Sequence, residues 1–247
     1  MPNPISHMSL AKEACEKIAS PILDNNLGAY LLGSTAPDSR IITKSRREDT
    51  HFSSLDSPSL RDGVDGLFKT HPGLAISSQL DDVTVAFILG YISHLVLDQA
   101  WITQIYRPFF GNKAIYQNPA ESSVMDRALQ LEMDIEVFPK VSPLRPVLKG
   151  SDNGINISFI SPETLSKWRE WIDSLFESGM SWDRLRFIAG RHIDADTTEV
   201  EKSVQGFLKA IDAGLSKIYE KVPVTTITAF KRRAMTEFVD IARGYLN

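Results

Sequence analysis

The chain contains very little cysteine, one residue (Cys15) in 247. A single thiol excludes an intramolecular disulfide and disfavours a metal site built from cysteines. The sequence also lacks an excess of basic charge, because 31 acidic and 27 basic side chains leave a net charge of −4. That balance gives no overall attraction to nucleic acid or to an anionic membrane surface. We therefore expect no nucleic acid partner.

Targeting and membrane-spanning segments are also missing from the pattern. The first residues, MPNPISHMSLAKEACEKIA, have no basic stretch followed by an apolar core, so we expect a cytoplasmic protein. One uncharged run around residues 83–106 is long enough to cross a bilayer, but Asp98 interrupts it. A charge at mid-bilayer is costly and no second span could shelter it. The sequence predicts a buried core helix here and no transmembrane segment.

What is abundant is helical periodicity. A hydrophobic content of 43% is enough for one large domain, and few segments alternate with period two. We predict a single all-α domain over 1–247, with a metal-site half at 1–138 and a helical half at 139–247 that covers the site. The predicted helices are 6–19, 25–33, 57–70, 80–106, 120–138, 162–177, 182–192, 197–222 and 225–245. An irregular connection is predicted over 139–160, and Ser161 is predicted to cap the helix after it.

The chemistry centres on GYISHLVLDQAW, residues 90–101. His94 and Asp98 are four residues apart and share one helix face. Tyr91 and Trp101 continue that face, so it points inward. A buried carboxylate without a partner costs several kcal/mol. Two interpretations of the pair are equally good: a metal site, or a His–Asp hydrogen bond within a helix bundle.

Three more residues favour the metal. His7 lies on the inner stripe of the first helix, Asp38 lies in a Pro-Asp turn after an apolar segment, and His51 stands beside Phe52. Three imidazoles and two carboxylates thus lie at the ends or inner faces of adjoining apolar segments. Neutral imidazoles suit zinc or a similar divalent transition metal, and carboxylates balance its charge.

Four motifs within residues 1–105 occur in an order that is similar to that of a known family. H-x-x-x-A, LGSxAPD, THF and GYxSHLxxDxxW follow one another, with Asp38 13 positions before His51. The series resembles the zinc-dependent phospholipase C family, in its intracellular bacterial hydrolase-like branch. The resemblance implies a multi-helix bundle of the phospholipase C / P1 nuclease type. It also implies a metal-dependent hydrolase acting on a small-molecule or lipid-like phosphoester.

Site roles follow from the resemblance position by position. His7, His51, His94 and Asp98 match family metal ligands. Asp38 matches the aspartate that binds or bridges metal and also acts as a base toward water, so it is the expected catalytic residue. Trp101 matches an aromatic residue expected to pack against the core.

The sequence also departs from the family. Secreted members complete a three-zinc cluster with a later histidine, an H-x-x-x-E pair and the N-terminal amine. Here MDRALQLEMDIEVF contains no histidine, and its carboxylates Asp126, Glu132 and Asp134 are either further ligands or its solvated face. The chain also begins six residues before His7. We expect one or two Zn²⁺ or other divalent ions rather than three.

Other assignments compete with this one. A non-catalytic protein in which metal only ties helices together, and a metal-free partner-binding module, are the alternatives. An HD-type phosphohydrolase is disfavoured because no histidine directly precedes an aspartate. The charges of Lys44, Arg46 and Arg47 could attract a phosphate, although a solvated loop is the preferred interpretation. His192, with Asp194 and Asp196 nearby, could form a second metal site, although Asp196 and Thr197 are also suited to cap the next helix.

Overall fold

The protein is described by a computed structural model that covers residues 2–112, 115–116, 118–189 and 197–247. Within these ranges all regular secondary structure is helical and no strand occurs, which confirms the all-α prediction. The α-helices are α1 Pro4–Ile18, α2 Pro21–Asn25, α3 Leu27–Gly33, α4 Arg40–Thr43, α5 Glu48–His51, α6 Asp62–Thr70, α7 Asp82–Trp101, α8 Pro119–Val141, α9 Pro162–Ser178, α10 Leu185–Ile188, α11 Thr197–Lys209, α12 Ile211–Lys221 and α13 Val224–Leu246. The 3₁₀ segments are Ala36–Ser39, Pro72–Leu74, Ser77–Gln79, Ser142–Leu148 and Trp182–Arg184.

Helix α7 is the centre of the molecule. Asp81 caps its N-terminus by accepting a hydrogen bond from the Thr84 amide at 2.8 Å, and every residue from Thr84 to Trp101 is buried. The chain continues as a π-helix, Ile102–Phe110. Within the described ranges, this continuous helix is the one segment long and apolar enough to cross a membrane, and its most apolar part is wholly inside the protein. The prediction of a buried core helix is confirmed.

Helices α3 and α7 touch backbone to backbone. A Cβ atom built on Gly90 would overlap the carbonyl oxygen of Tyr30, and one built on Gly33 would overlap the carbonyl oxygen of Phe87. Only a residue without a side chain fits at such a contact. The close approach brings the end of α3 against the middle of α7, where His94 lies. Helices α1 and α13 also pack on α7.

Several predicted boundaries are wrong. The predicted helix 57–70 begins at Asp62, because Ser57 and Pro58 are not helical and in the turn that follows them the Asp62 carboxylate accepts from the Ser59 amide at 3.0 Å. The predicted helix 197–222 is two helices, since Ala210 leaves the helical conformation. The region 25–33 is divided between α2 and α3. The cap at Ser161 is confirmed, with its hydroxyl accepting from the Thr164 amide at 3.1 Å.

Two other predicted segments differ in part. The connection 139–160 is not wholly irregular, because α8 runs to Val141 through Pro139 and the 3₁₀ turn follows it. The end of the predicted helix 182–192 lies outside the described residues. Two hydrophobic clusters form the interior, and each contains residues from both sides of position 138. The separate roles assigned to the two halves stay a prediction.

Candidate metal centre

Five predicted site residues come from four separate parts of the chain and meet at one point. His7 is on α1, Asp38 is in the first 3₁₀ segment, His51 ends α5, and His94 and Asp98 are on α7. The three histidines and Asp98 are buried, whereas the Asp38 side chain is 14% exposed. The structure therefore brings the residues together, and their binding of a metal stays a prediction.

The Asp98 carboxylate is the centre of the cluster. Its Oδ1 lies 3.3 Å from His7 Nε2, and its Oδ2 lies 3.1 Å from His51 Nε2 and 3.5 Å from His94 Nε2. Donor atoms around a tetrahedral zinc ion are about 3.4 Å apart, given metal–ligand bonds near 2.1 Å. The spacing of these side chains is compatible with a shared ion and equally with direct His–Asp hydrogen bonds.

Two overlapping sets of three residues are each close enough to hold an ion. One is His7, His94 and Asp98, and the other is Asp38, His51 and His94; in each set the candidate ligand atoms lie within 4.8 Å of one another. His51 Nε2 is 3.3 Å from His94 Nε2 and 3.8 Å from Asp38 Oδ1. Because His94 belongs to both sets, one or two adjacent ions could be held.

The backbone and a hydroxyl orient two of the imidazoles. His94 Nδ1 is 2.9 Å from the carbonyl oxygen of Ser34, an atom that only accepts, so Nδ1 carries the hydrogen. His51 Nδ1 is 3.0 Å from Thr50 Oγ1. In both rings Nε2 is the atom that faces the cluster. Metal-binding histidines are commonly fixed in this way by a partner on the other ring nitrogen.

The protonation states suit metal binding. Burial lowers the pKa of His7 and that of His51 to about 4, so both rings are neutral at neutral pH. Burial by itself would raise the pKa of Asp98, but His94 and the imidazole hydrogen bonds hold it well below its usual value. Neutral imidazoles and an ionised carboxylate are the ligand forms that a divalent ion binds.

His94 differs from the other two imidazoles. Burial would lower its pKa, but the charges of Asp98 and Asp38 raise it. Without a metal, a proton on His94 would offset part of the charge of these two carboxylates. An ion bound at this point would displace that proton and take over its charge.

Arg47 also enters the cluster, and the preferred sequence interpretation of its loop is wrong at this residue. Its Nη1 is 3.2 Å from Asp98 Oδ2, and its side chain is only 9% exposed. The neighbouring Arg46 behaves as predicted, because it pairs with Asp49 at 3.0 Å on the surface. The signal in the sequence was the buried Asp98, whose charge needs a cation, but nothing local distinguished the two arginines.

The carboxylates of α8 are not a solvated face. Asp126 is buried and accepts from Trp101 Nε1 at 3.0 Å. Asp134 is buried and accepts from the amide of Ser6 at 2.9 Å and from its hydroxyl at 2.5 Å. Each carboxylate therefore has a structural partner, and Trp101 packs in the core as expected. Glu132 accepts from the Tyr219 hydroxyl.

Tyr91 supports the site instead of lining a substrate pocket. It is fully buried, and its hydroxyl donates to the carbonyl oxygen of Thr50 at 2.5 Å. That bond ties α7 to the short helix that carries His51. The candidate at His192, with Asp194 and Asp196, lies outside the described residues.

The cluster opens to a cleft through Asp38. The cleft has a volume of about 330 Å³, and Asp38 is the one member of the five that lines it. Charged side chains of Arg40, Arg127 and Arg184 line it too. The three imidazoles and Asp98 are buried and do not line this cleft.

Comparison with protein-family models, characterised proteins and solved structures finds no match to this chain. Fold and site together define the class as an all-α protein with a buried candidate His/Asp metal centre beside a cleft.

Proposed function

We propose that the protein is a cytoplasmic metal-dependent hydrolase acting on a phosphoester, either a phosphodiester or a phospholipid-like small molecule. We also propose that its helices form the phospholipase C / P1 nuclease type of bundle. One observation carries the proposal: Asp38 lies both beside the imidazole cluster, 3.8 Å from His51 Nε2, and on the wall of the cleft. A substrate in the cleft would thus meet the candidate metal centre at Asp38.

His7, His51, His94 and Asp98 would hold one or two Zn²⁺ or other divalent ions, with Asp38 as a further ligand or bridge. Such an ion supplies a bound water of lowered pKa and polarises a phosphoryl oxygen. Burial by itself would raise the pKa of Asp38, but the charge of His94, the largest favourable contribution, lowers it. The carboxylate is therefore ionised at neutral pH and able to accept a proton from water in the cleft.

Arg47 has a part in the charge balance. Its guanidinium offsets Asp98 from the side of α5. Burial of the imidazoles keeps bulk water from the ligand atoms, which strengthens electrostatic interactions among them. The buried residues would hold and orient the ion. Asp38 alone of the five lines the cleft and would reach the phosphoester there.

The experiment is metal analysis of purified protein together with a screen of chromogenic phosphomonoesters and phosphodiesters. We expect bound zinc, manganese or nickel and diester turnover. Asp98→Ala should lose metal and turnover together, because its two oxygens contact all three imidazoles. Asp38→Asn should lose turnover while the other ligands keep metal. Asp240→Ala on the exposed face of α13 is the matched control.

The proposal is contradicted by wild-type protein without metal, or by full metal content in Asp98→Ala. A second function, a non-catalytic protein held together by metal, is favoured by one observation. The imidazoles of His51 and His94 are fully buried and that of His7 nearly so. Bound metal with no turnover of any ester, and with Asp38→Asn losing metal, would support that second function.

A further inference from the structure

The two oxygens of the Asp98 carboxylate have different surroundings. Three nitrogen atoms lie around Oδ2: Nε2 of His51 at 3.1 Å, Nη1 of Arg47 at 3.2 Å and Nε2 of His94 at 3.5 Å. Oδ1 lies 3.3 Å from His7 Nε2. These last two atoms are both buried, and neither forms a hydrogen bond in the part of the chain that the structure describes. The carboxylate is thus occupied on the Arg47 side and open on the His7 side.

The open pair of atoms suits a metal ion. A buried polar atom without a partner is costly, and the cost is larger for a charged group. An imidazole nitrogen and a carboxylate oxygen are both ligands of divalent transition metals. His94, whose ring stacks on that of His7 with centroids 3.8 Å apart, completes this candidate set with Asp98. An ion between these residues would give both open atoms a partner.

Arg47 is a fixed cation at the other oxygen. A guanidinium does not lose its proton in a protein, so its charge is permanent. The residue directly precedes α5, the helix that ends at His51, and its Nη1 donates to Asp98 Oδ2. Its side chain is 9% exposed and that of Asp98 is 1% exposed. Buried charges are screened only weakly, and the guanidinium therefore acts on Oδ2 as a bound ion would.

A second ion would conflict with Arg47. The other candidate set is Asp38, His51 and His94, and it shares His94 with the first set. His51 Nε2 lies 3.1 Å from the oxygen to which Arg47 donates, so an ion bound there would lie close to the guanidinium. Like charges repel strongly at short range in a buried site. Two divalent ions with Arg47 would also put five positive charges beside the two carboxylates of the centre.

We propose that Arg47 takes the place of a second ion, so that the centre binds a single divalent ion with His7 Nε2 and Asp98 Oδ1 among its ligands. Asp38 then has no second ion to bridge and is left to act on water in the cleft. The inference rests on the proposed function for the presence of an ion, and it does not depend on the reaction. Arg47 is a positioning residue, because it acts through Asp98.

The first test counts ions. Protein stripped of metal with a chelator is dialysed against zinc, and zinc per chain is measured by elemental analysis at saturation. We expect one ion in the wild type and in Arg47→Lys, which keeps the charge. Arg47→Met removes the charge and keeps an unbranched aliphatic chain, so we expect two ions. Arg46→Met, at a side chain that is 80% exposed, is the matched control and should bind one.

The second test locates the ion. His7→Gln removes a ligand and should weaken zinc binding in a calorimetric titration by about a hundredfold or more, at least as much as the loss of an outer partner of a ligand. His71→Gln is the matched control, because His71 belongs to neither candidate set, and it should leave the affinity unchanged. Circular dichroism checks the folding of every variant. The count in the wild type and the His7 titration do not depend on whether Arg47→Met folds.

Two ions per folded wild-type chain overturn the proposal. One ion in folded Arg47→Met, or unchanged zinc affinity in folded His7→Gln, overturns it as well. The proposed function fails separately: one ion that becomes two in Arg47→Met, without turnover of any ester, leaves this inference standing and removes the function. Two ions in the wild type together with ester turnover leave the function standing and remove this inference. A wild type that binds no ion removes both.

Discussion

Arg46 and Arg47 are adjacent in the sequence and have opposite environments. Arg46 is 80% exposed in its pair with Asp49, whereas Arg47 is 9% exposed and reaches Asp98, which is 1% exposed. Surface pairs contribute little to stability, but a buried charge that loses its partner is strongly destabilising. The contrast gives a direct test of the charge balance in the cluster.

We predict that Arg47→Met lowers the free energy of unfolding of metal-free protein by about 3 kcal/mol. The reason is that Asp98 is left with one fewer cation. The loss should be smaller with metal bound, since the ion offsets the same carboxylate. Urea denaturation in chelator and in zinc measures both values, and Arg46→Met should give no measurable change. An equal effect of the two substitutions would contradict the burial of Arg47.

At the scale of elements, Asp134 joins α8 to the first turn of α1. Its carboxyl accepts from the amide and the hydroxyl of Ser6, the residue before His7. Burial raises its pKa from 3.8 to about 7. The folded protein therefore holds a proton that the unfolded chain has released between about pH 4 and pH 7.

The direction of the pH dependence of stability follows from this difference in proton binding. The stabilising contribution of Asp134 is complete below about pH 4 and is lost as pH rises through about 7. We predict that Asp134→Asn, which stays neutral and can still accept both bonds, has wild-type stability near pH 4. Above pH 7 it should be more stable than wild type, by up to roughly 4 kcal/mol for a shift of about three units. Denaturation series across pH measure this, and a pH-independent difference would contradict it.

A second link between elements is the glycine contact of α3 with α7. A methyl group at Gly90 would overlap the Tyr30 carbonyl and force the helices apart. The same movement would draw Ser34 away from His94 Nδ1. Packing and site geometry are therefore coupled at one position.

We predict that Gly90→Ala lowers the free energy of unfolding by about 3 kcal/mol, because added volume strains a close contact, and also weakens metal binding. Gly244→Ala on α13 is the matched control, because a Cβ there meets no neighbour. That control should stabilise the helix by about 1 kcal/mol. Chemical denaturation and zinc titration measure the two effects. Unchanged zinc affinity in a destabilised Gly90→Ala variant would show that packing at this contact does not control the geometry of the site.

At the scale of the whole molecule, the candidate centre connects α1, α5, α7 and the 3₁₀ segment with Asp38. An ion that binds only the folded form stabilises it by mass action. We predict that zinc at about 100 times its dissociation constant raises the free energy of unfolding by about 2.7 kcal/mol. Asp98→Ala should abolish the gain. Thermal unfolding across zinc concentrations measures it, and a midpoint independent of zinc would exclude a structural ion at this site.

The sequence alone determined the features that depend on neighbours along the chain. Helical periodicity gave the all-α fold, and the four-residue spacing of His94 and Asp98 gave their shared inward face. It also supplied five candidate site residues, which the fold gathers at one point.

Only the tertiary structure decided which distant groups meet. Arg47 and Asp98 are 51 positions apart, and Ser6 and Asp134 are 128 apart. Local patterns cannot distinguish Arg46 from Arg47, or a solvated Asp134 from a buried one, because each outcome depends on what packs against the residue from elsewhere. The cleft and its three arginines were decided in the same way, since they come from separate helical segments that only folding brings to one wall.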